Sequence, residues 1–126
     1  MGKFEINVLG CGSALPTLRH YPSTQVLNLR DNLFMIDCGE GAQIQFRRMH
    51  LKFTRLGHIF LSHLHGDHCF GLIGLISTLS LLGRTGELVI HAHPQAEAVF
   101  RPQLDFFCRE LPFAVRFEPV VPNCSE

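Results

Sequence analysis

A six-residue stretch, His63-Leu64-His65-Gly66-Asp67-His68, contains four side chains that can bind metal ions and lies between two apolar segments. Residues 58–62 before it have the pattern of a buried strand, and residues 69–82 after it have the pattern of an apolar helix. The motif is therefore predicted to lie on a tight strand-to-helix loop, where functional residues of α/β folds usually collect. Three imidazoles and one carboxylate at short spacing favour zinc, which takes nitrogen and oxygen ligands.

The spacing divides these side chains into two pairs. His63 and His65 are two residues apart, so they point the same way from an extended segment and can grip one ion. Asp67 and His68 follow the turn at Gly66 and can face a second ion close by. A pair of metal ions is typical of enzymes that hydrolyse phosphodiesters or other esters. The alternative is a set of solvated or hydrogen-bonded loop histidines.

Composition is consistent with a soluble cytoplasmic domain. The chain has 126 residues, 46% of them hydrophobic, which suffices for one domain or part of one. Residues 1–5 show no signal peptide, and no stretch is apolar enough to span a membrane. The five cysteines are odd in number and form no Cys-x-x-Cys pair, which indicates reduced thiols. Cys69, next to His68, is predicted to pack in the core rather than to bind metal.

The formal net charge is zero, which removes the general electrostatic argument for a nucleic-acid partner. One local cluster of basic residues lies at the end of the predicted helix over residues 42–50 and in the loop after it. Two interpretations remain open for it, namely a solvated helix C-terminus and a contact to phosphate. The cluster comprises Arg47, Arg48, His50, Lys52 and Arg55.

Strands come first along the chain and then alternate with helices, which predicts a layered α/β fold. A half-buried strand is expected over residues 4–9, and a hairpin over residues 25–30 and 33–37 turns at Asp31-Asn32. The remaining predicted strands are 58–62, 87–91 and 113–119. The predicted helices are 42–50, 69–82 and 94–110, the last with a kink at Pro102.

Four motif side chains cannot complete two metal sites, because each catalytic zinc takes about three protein ligands. His91 and His93 end a strand that can run parallel to the motif strand, so they are the best internal candidates for further ligands. Lining a pocket or lying on the surface is the alternative for both. At least two or three ligands are expected to be missing.

Three segments together give the chain a family resemblance. The motif, Gly10-Cys11-Gly12-Ser13 near the start and Asp37-Cys38-Gly39-Glu40-Gly41 upstream resemble the metallo-β-lactamase superfamily. With Gly71-Leu72-Ile73-Gly74-Leu75 added, the chain is similar to the ribonuclease Z family, which trims the 3′ end of precursor tRNA. The resemblance implies an αββα sandwich of which residues 1–126 form the N-terminal half, a mixed sheet with helices on one face.

The resemblance also implies the role of each motif residue. His63 and His65 would bind the first zinc, Asp67 and His68 the second, and Asp67 would also accept a proton in catalysis. The remaining ligands and the arm that grips tRNA would lie beyond Glu126, so the isolated chain is expected to be inactive. A cytoplasmic homodimer that acts on precursor tRNA with two zinc ions per subunit is implied for the whole enzyme.

Several points stay open at this level. The family's Pro-x-Lys-x-Arg-Asn loop, which monitors the CCA end, corresponds to Pro16-Thr17-Leu18-Arg19-His20-Tyr21, in which only the proline matches in place. Asp37 either orients a ligating histidine or serves a turn or cap. Manganese or iron would also accept these ligands. Alternative functions are another phosphodiesterase or arylesterase of the superfamily and a catalytically silent fragment.

Overall fold

A computed structural model describes residues 4–10 and 24–120 of the chain, with the backbone alone at residues 4, 5, 7–10 and 67. The strands are β1 (Phe4–Gly10), β2 (Thr24–Leu29), β3 (Asn32–Ile36), β4 (Leu56–Phe60), β5 (Leu88–Ala92) and β6 (Val115–Pro119). The helices are α1 (Ala42–Arg48), α2 (Gly66–Cys69), α3 (Leu72–Leu81) and α4 (Ala96–Phe107), and a 3-10 turn covers Phe53–Arg55. The described helices include none with the length and hydropathy needed to cross a bilayer.

These strands form one mixed sheet in chain order, from β1 to β6. The first three strands are antiparallel neighbours, and β3, β4, β5 and β6 are parallel to one another. Each parallel step is connected by a helical segment, as parallel pairing requires. The predicted mixed sheet is confirmed, and the carboxyl ends of β3, β4 and β5 lie at one edge.

The hydrophobic core lies against one face of this sheet. Met35, Ile59 and Ile90 are completely buried there with the apolar residues of the helices. The opposite face presents apolar side chains that alternate with the buried ones, which we call the outer apolar face. Its paired members are Ile6, Leu27, Phe34, Ile36 and Phe60, of which Ile6 is 56% exposed and Phe60 37% exposed. Helices on one face of a mixed sheet are thereby confirmed.

The hairpin turn lies one residue earlier than the Asp31-Asn32 turn that the sequence predicted. Leu29 pairs with Asn32, so Arg30 and Asp31 are the two turn residues, with φ values of 54° and 65°. The side chain of Asn28 explains the shift, since its Oδ1 accepts the backbone N–H of Asp31 at 2.9 Å. Such a side-chain contact supports the left-handed conformation that a two-residue hairpin turn needs.

The helix predicted over residues 69–82 begins later, as α3, and the second half of the motif, predicted to be a loop, lies in the separate short helix α2. The two helices are separated at Phe70 and Gly71. The cause is a long-range hydrogen bond: the N–H of Gly71 donates to the carbonyl of Cys38 at 2.9 Å. That N–H is therefore used to attach the segment after β3 rather than to continue a helix. The helix predicted over 94–110 is shorter, Ala96–Phe107, and includes Pro102. The kink predicted at that proline stays a prediction.

Candidate metal and catalytic site

The carboxyl ends of β3 and β4 bring two distant parts of the sequence together. Asp37 follows β3 directly, and its backbone N–H donates to the carbonyl of Phe60 at the end of β4, at 2.7 Å. One residue later, the N–H of Cys38 donates to the carbonyl of His68, also at 2.7 Å. The predicted strand-to-helix position of the motif is confirmed, since it lies between β4 and α3.

Asp37 is the buried centre of a hydrogen-bond network at this edge. Only 5% of the residue is exposed, and its φ of 61° turns the chain out of β3. Its carboxylate accepts the backbone N–H of Ser62 at 2.8 Å and Nδ1 of His68 at 2.8 Å. The Ser62 hydroxyl donates to both carboxylate oxygens, at 2.8 and 2.9 Å. Of the two roles that the sequence left open for Asp37, orientation of a motif histidine is the one supported.

The three motif imidazoles lie next to one another. The ring of His63 is 5.8 Å from that of His65 and 4.9 Å from that of His68, measured between centroids. Nδ1 of His63 lies 3.0 Å from Oγ of Ser62, and Nδ1 of His68 lies 2.8 Å from Asp37. In both rings the nitrogen on the opposite side, Nε2, is then the one that a metal would use, which is how proteins commonly prepare a ligating histidine.

The nitrogen atoms of His63, His65 and His68 are therefore suitable ligands for part of a divalent metal site. Among the side chains that the structure describes, however, no three histidines, cysteines, aspartates or glutamates are arranged to hold an ion. The side chain of Asp67 lies outside the described residues, so the predicted set of four ligands stays a prediction. The expectation that further ligands come from elsewhere likewise stays a prediction.

His91 and His93 lie at the same sheet edge but do not join the motif. Nε2 of His91 is 2.9 Å from Nδ1 of His58, and its ring stacks on Phe60 at 4.3 Å between centroids. Burial, followed by the neighbouring His58, lowers the pKa of His91 below its usual value. Nδ1 of His93 accepts the backbone N–H of Gln95 at 3.0 Å.

Both histidines instead line a pocket beside the motif, which was the alternative left open for them. The pocket measures about 280 Å³ and includes Ser62 in its wall. Sequence reasoning missed the pair of His58 and His91. Their contact depends on the register of β4 against β5, which pairs Phe60 with His91. The only signal in the sequence was that each of these histidines lies in a predicted strand.

The cysteines near the motif pack as predicted. Cys69 is buried, and its thiol donates to the backbone carbonyl of His65 at 3.2 Å. Cys38 is completely buried, and burial raises the pKa of its thiol, an effect to which Cys69 and Asp37 add. A thiol that resists ionisation is a poor metal ligand, so Cys38 supports the core rather than the site. Cys69 belongs to the same hydrophobic core.

The basic cluster and the two glycine- and proline-containing segments near the start of the chain are the remaining sequence predictions. Arg47 and Arg48 lie in the last turn of α1, as a helix C-terminus favours, and the alternative phosphate contact stays a prediction. The segment Cys11-Gly12-Ser13 and the loop Pro16 to Tyr21 lie outside the described part of the chain.

The chain is similar to one protein family model and to curated proteins named ribonuclease Z. A family model described as anti-Pycsar protein Apyc1 matches residues 4–99. A ribonuclease Z of Parabacteroides distasonis is 63% identical over 123 residues, which are 98% of this chain and 40% of that protein. A ribonuclease Z of Phocaeicola vulgatus is 61% identical over 126 residues, which are 100% of this chain and 41% of that protein. The chain thus spans about two fifths of the length of these curated relatives.

Solved structures agree with the fold. The crystal structure of human tRNase Z, short form, superposes with a TM-score of 0.86 at 32% identity, covering 98% of this chain and 47% of that one. The metallo-β-lactamase fold protein YhfI from Bacillus subtilis gives a TM-score of 0.66 at 20% identity, covering 94% of this chain and 48% of that one. The fold therefore matches part of a metallo-β-lactamase fold.

Proposed function

This chain belongs to the protein family described as anti-Pycsar protein Apyc1, and we propose that it forms the N-terminal part of a ribonuclease Z. Such an enzyme is a metal-dependent endoribonuclease that removes the 3′ trailer of precursor tRNA and leaves a 3′-hydroxyl. The observation that carries the proposal is the identity above 60%, over nearly the whole chain, to two relatives named ribonuclease Z. The family description names another protein, so the activity is argued from these relatives and from the site.

In the proposed enzyme the motif supplies part of a two-metal centre. His63 and His65 would hold one ion, and Asp67 and His68 the other, while the rest of the enzyme completes both sets. We propose zinc, although manganese or iron would also accept imidazole and carboxylate. When bound, the ions stabilise negative charge on the phosphate and make water a better nucleophile at neutral pH.

The chain's own residues would then have separate tasks. A carboxylate oxygen of Asp67 would accept the proton of the attacking water. A positioned base of this kind typically raises the reaction rate about 10²- to 10⁴-fold. Asp37 holds Nδ1 of His68 at 2.8 Å and so fixes the orientation of that ring. The pocket lined by Ser62, His91 and His93 adjoins this centre at the carboxyl edge of the sheet.

A chimera tests the proposed function. We expect this chain, joined to the portion of the Parabacteroides distasonis enzyme that the alignment leaves uncovered, to cleave a 3′-extended precursor tRNA when loaded with zinc. A chelator should abolish cleavage, and added zinc should restore it, because the two-metal centre needs both portions. Gel analysis of the products and their 3′ ends is the measurement.

Two comparisons make that experiment decisive. The isolated 126-residue chain with added zinc should not cleave the same tRNA, since its ligand sets are incomplete. A folded chimera that binds two metal ions per chain and still leaves the precursor intact would overturn the proposed function. Cleavage by the isolated chain would mean that the metal sites are complete within it.

The cytoplasmic homodimer is likewise our proposal for the whole enzyme, and the outer apolar face gives the isolated chain a second reason to associate. Ile6 and Phe60 are exposed on that face, and exposed apolar patches drive self-association. We expect dimers or larger species of the isolated chain in light scattering. Phe60→Asp should reduce association, whereas Leu81→Lys, which changes a residue 85% exposed on α3, should not. A monomer at high concentration would contradict this expectation.

A further inference from the structure

We infer that Ser62 is a positioning residue that extends the hold of Asp37 to His63, so that one buried carboxylate sets the tautomers of two motif histidines. The inference concerns hydrogen bonds within this chain. It rests on the proposed function only where it assigns those histidines to metal ions.

The hydroxyl of Ser62 lies at the centre of three contacts. Its oxygen is 2.8 Å from Oδ1 and 2.9 Å from Oδ2 of Asp37, and 3.0 Å from Nδ1 of His63. A carboxylate can only accept hydrogen bonds, and a hydroxyl has a single hydrogen atom to donate. That hydrogen therefore points to Asp37, and the serine oxygen is left to accept.

This arrangement decides the state of His63. Because the serine oxygen accepts, Nδ1 of His63 must carry the hydrogen atom. His68 follows the same logic without an intermediary, since its Nδ1 lies 2.8 Å from Oδ2 of Asp37 and must donate to it. The tautomer of an imidazole is set by the hydrogen bond of one nitrogen, so both rings present an unprotonated Nε2.

Consequently, Asp37 sets the tautomers of both rings, although the proposed assignment gives His63 and His68 to different ions. Asp37 is buried and its position is fixed by the backbone hydrogen bond to Phe60, so the charge that organises both rings does not move with the exposed motif. Among the described residues, His65 has no hydrogen bond to Asp37 or Ser62 in this network. That histidine is therefore an internal control.

Nitrogen-15 NMR of the histidine-labelled, metal-free chain tests the inference at a pH where the imidazoles are neutral. In the unmodified chain we expect the hydrogen atom on Nδ1 in His63 and His68. Ser62→Ala should move the hydrogen atom of His63 largely to Nε2 and leave His65 and His68 unchanged. Ser62→Thr, which keeps the hydroxyl, should restore the original pattern.

A second measurement connects the tautomer to the metal. In the chimera, Ser62→Ala should weaken zinc binding about 10- to 100-fold in competition with a chelator, as loss of a partner to a ligating histidine usually does. Ser62→Thr should stay within a few fold of the unmodified protein, and so should Ser80→Ala, a change at the far end of α3. Ser62→Thr tests whether the hydroxyl at this position is what matters. Ser80→Ala tests whether the loss of a serine elsewhere has the same effect.

The outcomes separate this inference from the proposed function. An Nε2-protonated His63 in the unmodified chain, or an Nδ1-protonated His63 that persists in Ser62→Ala, would overturn the inference whatever the nuclease assay shows. The expected tautomers in a chimera that does not cut precursor tRNA would support the inference and overturn the proposed function.

Discussion

Asp67→Ala in the chimera is expected to reduce cleavage of 3′-extended precursor tRNA by about 10³-fold or more. The substitution removes a proposed metal ligand and the proposed proton acceptor together, and either loss alone slows hydrolysis strongly. Single-turnover cleavage with saturating zinc is the measurement, because it keeps the chemical step apart from product release.

Asp105→Ala is the matched control for that experiment. Asp105 is an exposed aspartate on α4, so its loss removes the same charge at a distance from the motif. Without metal, both variants should retain the thermal unfolding midpoint of the metal-free unmodified chimera, which separates catalysis from folding. Cleavage by Asp67→Ala within a few fold of the control would contradict the role assigned to Asp67.

The elements around this aspartate could be predicted because their signals are local. The apolar run before His63 and the apolar run after His68 predict a strand and a helix from a few neighbouring residues each. The structure places β4 and the two helices α2 and α3 there. The one-residue shift of the hairpin turn arises from a side-chain contact, that of Asn28, which hydrophobic periodicity does not contain.

The connections within the site could not be derived in the same way. Ser62 and Asp37 are 25 residues apart, and their contact follows from the parallel pairing of β3 with β4. The pair of His58 and His91 similarly depends on the register of β4 against β5. Sequence reasoning identified Asp37 and the motif separately, but the hydrogen bonds that join them are a property of the sheet.

The separation of α2 from α3 also results from a contact between distant parts of the sequence. At this point the backbone of Gly71 lies very close to that of Cys38 and Gly39. Gly71 is buried, and a Cβ atom added to it would lie 2.0 Å from the carbonyl oxygen of Gly39 and 3.1 Å from that of Cys38. Its φ of −84° suits any residue, so glycine is required here by the close approach and not by backbone conformation. The segment that it contacts is the one that carries Asp37.

Gly71→Ala is therefore expected to lower the free energy of unfolding by about 3 kcal/mol, the upper part of the usual range for overpacking, because backbone rather than a flexible side chain must move. Urea unfolding followed by circular dichroism is the measurement. Gly57→Ala is the control, since a Cβ atom on this half-buried strand glycine meets nothing within 4 Å. That variant should be unchanged or more stable by up to about 1 kcal/mol. Equal stability of the two variants would show that the segment after β3 can move away from α3 without cost, and Asp37 would then be a poor anchor for the motif histidines.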